Sequence, residues 1–156
     1  MYSPCCLDKL AEAVKQEILR ERKTLEKACH IAVVKLYKRG LEGVPLIIYF
    51  RHPRTGWSNH VVFVLPNLIV LDVTGEQYGN IPPVYALDSI KKYYDIVSYD
   101  IGFVFFYAGR PATKVEADLE RLVRRIMAEM TIKPKKHGET KLEKLAKSIF
   151  DKSNLK

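Results

Sequence analysis

Between Ser58 and Gly79 the chain reads SNHVVFVLPNLIVLDVTGEQYG, two apolar runs of strand length joined by Pro66-Asn67. Each run carries one ionisable residue: His60 at the head of the first, Asp72 near the end of the second. Runs of this length and composition pair as a hairpin, and that pairing brings His60 and Asp72 side by side. β-propensity alone does not choose Asp for such a strand. On simple alternation Leu68, Val70 and Asp72 share one face, and a carboxylate on a half-buried face needs a partner. A carboxylate beside an imidazole fixes its tautomer and orientation. The plainer alternatives are a surface histidine at a strand edge and a turn aspartate capping Thr74 or Gly75.

The 156 residues suffice for one domain with a real core. With 47% hydrophobic and 28% charged residues the composition is that of an ordinary globular protein. No apolar run approaches the roughly 20 residues that span a bilayer, and Met1-Tyr2-Ser3-Pro4 opens no secretory signal. Three cysteines, two of them adjacent, do not make a disulfide framework, and none has zinc spacing. These features lead to the expectation of a cytoplasmic protein with reduced thiols and no contact with membrane. No motif calls for a cofactor or a metal. The net charge of +8 is uneven: residues 131–156 hold eight lysines against Glu139, Glu143 and Asp151. Such a tail reads as a solvated extension, or as a weak contact for nucleic acid or another polyanion.

Ser3-Pro4 has the form of an N-cap and first helical residue. Leu7, Leu10, Ala11, Val14 and Ile18 follow at helical spacing, and Leu25, Ala28, Cys29, Ala32, Val33 and Leu36 form a second stripe closed by Gly40. Residues 4–39 are therefore one helix or two, with Thr24 as the candidate cap between them. Val44 to Phe50 reads as a strand, with Arg54-Thr55-Gly56 turning into the next. Gly75 to Pro83 is a loop, Asp88 to Tyr94 a short helix or turn, and Ile96 to Tyr99 and Gly102 to Tyr107 further strands. Thr113 with Glu116 is a capping box opening a helix to about Met130, and Thr140 with Glu143 repeats the signal for a short basic helix after a linker marked by Pro134 and Gly138. The fold class is α+β: N-terminal helices packed on a largely antiparallel sheet, followed by C-terminal helices. The expected division is a domain over 1–130 and a basic linker and helix over 131–156.

A helix with a cysteine, then a strand with a histidine, then a strand with an aspartate resembles the transglutaminase-like branch of the papain-like cysteine enzymes. The matching residues are Cys29, Ala32, Leu36, Gly40, His60, Asp72, Thr74, Gln77 and Tyr78. Leu71-Asp72-Val73-Thr74 with Glu76-Gln77-Tyr78-Gly79 carries the resemblance best, Pro82-Pro83-Val84-Tyr85 continues it, and it spans roughly 25–108. It implies acyl transfer at a peptide, amide, isopeptide or ester bond of a peptide or protein substrate. Cys29 would be the nucleophile, His60 the general base and Asp72 the orienting carboxylate. The chain departs from the family at Val62, where an aromatic residue is usual. If Thr24 caps the second helix, Cys29 falls in its second turn, and no upstream residue is an evident oxyanion donor.

Each residue has a rival reading. Cys29 lies on an apolar stripe, where a cysteine is commonly a small core hydrophobe. Cys5 and Cys6, in a first helical turn, are rival thiols. His30 is about 100° round the helix from Cys29 and reads as surface or packing. His52 and His137 read as solvent histidines, and Trp57 as a packing aromatic at a strand entry or, less simply, a wall of a cleft. Gln77 and Tyr78 line the mouth of a site or anchor a loop. Two other functions stay open: a nucleic-acid-binding protein or metal-dependent nuclease using Asp72, Glu76, Arg51, Arg54 and the tail, and an inactive papain-like interaction module.

Overall fold

In the computed structural model, residues 4–101 and 111–135 are described here. The strand expected over 102–107 and the second capping box at Thr140 lie outside them, as does His137. The chain runs α1 (Pro4–Arg22), α2 (Cys29–Lys38), β1 (Val44–His52), β2 (Gly56–Val64) and β3 (Ile69–Leu71), then a 3₁₀ turn at Gly75–Tyr78. It continues through β4 (Val84–Ala86), a second 3₁₀ turn (Leu87–Lys92), β5 (Asp95–Ile101), α3 (Lys114–Glu129) and β6 (Lys133–Pro134). This is the α+β fold expected from the sequence. No helix among the described residues is long and apolar enough to cross a membrane.

The N-terminal segment is two helices. In α1 the stripe Leu7, Ala11, Val14 and Ile18 is buried, each large side chain contributing about 1.5–3 kcal/mol of apolar burial. The break falls at Lys23 and Lys27, both with positive φ (67° and 57°), a conformation that ends a helix even without glycine. Ala28 N–H then turns back to Leu25 C=O, and α2 starts at Cys29. Its other end is a Schellman close: Gly40 (φ 85°) donates to Tyr37 C=O and Leu41 to Leu36 C=O. Lys35 of α2 and Arg39, its C-cap, clasp Glu17 of α1 at 2.9 Å each.

Among the described residues six strands lie in the order β4-β3-β2-β1-β5-β6, antiparallel except where β6 joins β5. Alternation along the strands makes two cores. Phe63, Leu65, Leu71 and Val73 face α1 and α2. Val44, Leu46, Ile48, Val62 and Val64 face the other way, onto Leu119, Val123 and Met127 of α3. The capping box at Thr113 and Glu116 forms as expected and starts α3. Where the sequence suggests the beginning of a linker, Ile132 is buried and Lys133–Pro134 pair with Ser98–Tyr99.

Candidate active site

The expected hairpin forms, with Phe63 opposite Leu71, but its limits differ from the sequence reading. β2 begins at Gly56, so His60 sits at mid-strand, 0% exposed, and not at a strand edge in solvent. β3 ends at Leu71, and Asp72 is the first residue beyond it, 2% exposed and anchored by its N–H on Pro83 C=O at 2.8 Å. His60 Nε2–H donates to Asp72 Oδ1 at 2.6 Å. The other carboxylate oxygen, Oδ2, accepts from Tyr94 at 2.6 Å and Tyr85 at 2.8 Å. Gly75 closes over the group: a Cβ there would lie 2.7 Å from Asp72 Oδ1, so the position has room only for glycine.

Cys29 is the first residue of α2, not a second-turn residue as a Thr24 cap would make it. Thr24 Oγ1 instead accepts from Glu26 N–H inside the connecting loop. Ala28 occupies the N-cap and offers no side-chain acceptor, so the amides of the first turn of α2 are left without a cap. The thiol reaches β2 at a specific gap. Leu65 N–H points to β3, donating to Ile69 C=O, and by the period of two so does Val61 N–H. β3 ends opposite Phe63, and the Val61 amide is taken up by the Cys29 sulfur.

The electrostatics follow from these contacts. Burial pulls the His60 imidazole down, but the charge and hydrogen bond of Asp72, with the Cys29 thiol beside the ring, outweigh it and carry the pKa up to about 9. Burial likewise pushes the Cys29 thiol up, and His60, the Val61 amide and its own helix's His30 amide together bring it below the ordinary 9.0. His60 Nδ1 is buried and has no partner of strict hydrogen-bond geometry. With Nε2 on Asp72, it is the ring atom left to face the thiol, a looser contact of the kind that tightens when substrate binds. Burial, then the Asp72 charge, holds the Tyr85 and Tyr94 hydroxyls well above the usual phenol range, so both stay donors.

Cys29 opens on a cleft of about 550 Å³. One wall is the loop before α2, including Lys27; the other is the β1–β2 hairpin with Arg54 and Asn59, and Gln77 and Tyr78 close the end. The Tyr78 ring stands edge-on to His60 at 5.1 Å between centroids. His52, read as a solvent histidine, is a half-buried strap: its Nε2–H donates to Tyr78 C=O at 2.8 Å, and its Nδ1 accepts from the amides of Arg54 and Thr55. Trp57 is 68% exposed and lies against Arg51, which corrects its reading as a packing aromatic. His30 is exposed, as expected. Cys6 is exposed on α1. Asp72 and Glu76 do not form a cation site: Asp72 is enclosed by three donors, and Glu76 pairs with Lys15 at 3.2 Å. Among the described residues no cluster of metal-ligating side chains occurs.

The structure thus brings together Cys29, His60 and Asp72. Tyr85 and Tyr94 were not singled out with them, because they enter from later segments with no local motif. A buried carboxylate's need for donors is the one signal that could have prompted a search for them. No protein-family model, curated protein or solved structure matches the chain.

Proposed function

We propose that the protein is a thiol-dependent hydrolase or acyltransferase of transglutaminase-like or papain-like type. The observation that carries the reading is Cys29 at the start of α2, beside an imidazole held by a buried carboxylate and open to a cleft. An isolated buried His–Asp pair has structural uses. A thiol at an uncapped helix start against that pair, lowered in pKa and solvent-accessible, fits nucleophilic catalysis far better.

In this reading the Cys29 thiolate attacks the acyl carbon and the carbonyl π pair moves to oxygen. The backbone N–H of Cys29, at the uncapped start of α2, is a candidate donor for that oxyanion. As the tetrahedral adduct collapses, the C–N or C–O bond breaks, and the His60 imidazolium gives its proton to the departing amine or alcohol. A thioester remains. His60, now neutral, takes a proton from water or from an acceptor amine, which attacks the thioester and returns the thiolate. Asp72 keeps Nε2 as a donor throughout, so Nδ1 exchanges the proton.

The test is the covalent intermediate. The full chain is incubated with p-nitrophenyl acetate at neutral pH, quenched in acid, and mapped by peptide mass spectrometry, in parent and His60→Gln. Acetyl on Cys29, released by hydroxylamine and lost in the variant, is the expected result. Acetyl on Cys6 alone, or Cys29 labelling that ignores His60, sinks the reading.

A further inference from the structure

Among the described residues some cations are held by carboxylates and others, those lining the Cys29 cleft among them, are not. On α1, α2 and the C-cap of α2, Lys15, Lys35 and Arg39 each meet a glutamate within 3.2 Å. On α3, Arg121 and Arg124 meet Asp118 and Glu120. Lys27 and Arg54, on opposite walls of the Cys29 cleft, meet no carboxylate among the described residues. Glu26 is the only acidic residue lining that cleft among the described residues. Arg54 is also held in place. Its Nη2 donates to Gln77 C=O at 2.9 Å and its main-chain N–H to His52 Nδ1 at 3.1 Å, which leaves further N–H groups of the guanidinium fork unassigned. The Cys29–His60 pair is neutral overall whether or not the proton has moved; the nearby carboxylates are Asp72, buried behind His60 and outside the cleft lining, and Glu26 on the lining, and neither pairs with Lys27 or Arg54.

We infer that the cleft selects an acyl substrate carrying a carboxylate close to the reacting carbonyl, with Arg54 as the principal anchor and Lys27 closing from the other wall. This rests on the reading of Cys29 as the nucleophile. A planar carboxylate fits the guanidinium fork in two parallel hydrogen bonds, which a point-charge lysine cannot offer. Two cations lining one partly enclosed cleft act more strongly on a bound anion than two in open solvent. A neutral substrate leaves both cations without a carboxylate partner. The preference therefore arises from attraction to acidic substrates and from poor accommodation of basic ones.

Iodoacetate and iodoacetamide test this directly, because they alkylate thiols by the same displacement and differ in charge. Rates at Cys29 and at the exposed Cys6 are followed by peptide mass spectrometry in the full chain, and the result is the iodoacetate-to-iodoacetamide ratio at each thiol. The expected ratio at Cys29 exceeds that at Cys6 by about tenfold and falls with added salt. In Arg54→Gln with Lys27→Gln it drops to within about twofold of the Cys6 ratio, His60 being intact. Equal ratios at the two thiols overturn the inference. So does a high Cys29 ratio that the double variant leaves in place, since the preference would then belong to the His60 imidazolium. Protection of Cys29 by succinate is expected to exceed protection by inorganic phosphate at matched ionic strength, and the reverse order overturns the carboxylate assignment. Cys29 inert to both reagents removes the nucleophile itself, a failure distinct from loss of charge preference.

Discussion

Two buried carboxylates hold this fold, and they are held differently. Glu116, 0% exposed, accepts from the amides of Gly43 and Thr113, both at 3.0 Å, tying the start of α3 to the residue before β1. Asp72, 2% exposed, accepts from an imidazole and two phenols, on side chains that come from β2, β4 and the approach to β5. The two amides on Glu116 are donors that never change charge, and they hold it as a fixed post. A carboxylate satisfied by His60 is coupled to a group that can gain and lose a proton, and through it to the Cys29 thiol. Burial alone therefore does not mark the candidate site; the nature of the donors does.

The largest effect expected from breaking this contrast is on chemistry. Asp72→Asn leaves a carbonyl oxygen for the tyrosines but turns an amide toward His60 or forces its tautomer over. Acetylation of Cys29 should fall by about 10²–10⁴-fold. Glu116→Gln should leave the acetylation rate of Cys29 where it is. If both variants lose acetylation equally, the distinction between the two carboxylates fails.

A second effect concerns pH and stability. His60 has its pKa raised to about 9 from 6.5, so its stabilising contribution is full below 6.5 and lost as pH rises through about 9. Cys29 is lowered, so its contribution is present above 9.0 and lost as pH falls through the folded value. Where the two windows overlap, the slopes oppose each other: the native thiolate–imidazolium pair and the unfolded thiol and imidazole bind the same number of protons. The parent should therefore be nearly flat there. Cys29→Ala removes one slope and leaves the share of the other that Asp72 sets, so its unfolding free energy, read from urea titrations, should decline steadily from about pH 6.5 upward, by on the order of a few kcal/mol across the window. A variant as flat as the parent would show that His60 is not charged in the native state.

The fold and half of the site were legible in the sequence for reasons these regions make plain. Period-two alternation located the His60–Asp72 hairpin, and the Thr113–Glu116 capping box, a local signal of four residues, located α3 to within a residue. The start of α2 was not legible. Its N-cap is Ala28, which carries no capping chemistry, and the break before it depends on two lysines at positive φ where glycine would have announced a turn. Thr24, the residue that looks like a cap, serves the loop. Tyr85 and Tyr94 follow Asp72 by 13 and 22 residues and meet it only after β4 and β5 are in place. Hydrogen bonds of that range have no periodicity to read. The strap of His52 onto Tyr78 C=O, across 26 residues, is invisible for the same reason.

Stability offers a smaller test. Glu116→Gln points an amide at one of two backbone donors, and the loss should be about 1–3 kcal/mol, read as a lower denaturant midpoint with unchanged slope. An unchanged midpoint would show that the tie between α3 and Gly43 contributes nothing net.

The smallest effect sharpens the contrast most. Tyr94→Phe and Tyr85→Phe keep the ring packing and remove one donor each from Asp72 Oδ2. A donor to a carboxylate draws negative charge away from it. Removing one concentrates the charge on the remaining acceptor sites, and His60 Nε2–H is bound to that same group. The imidazolium should then hold its proton to a pH above about 9, the value set with both tyrosines present. The shift should be modest, since a hydrogen bond to a charged group is worth roughly 1.5–3 kcal/mol and only part of it is relayed to the ring. Titrating His60 by the NMR shift of its Cε1 proton reads this directly, and acetylation at neutral pH should change by less than about tenfold. A downward shift would mean that the tyrosines act by excluding water from Asp72, not by dividing its charge. In that case the two phenols are closer in kind to the amides around Glu116 than to the imidazole they accompany.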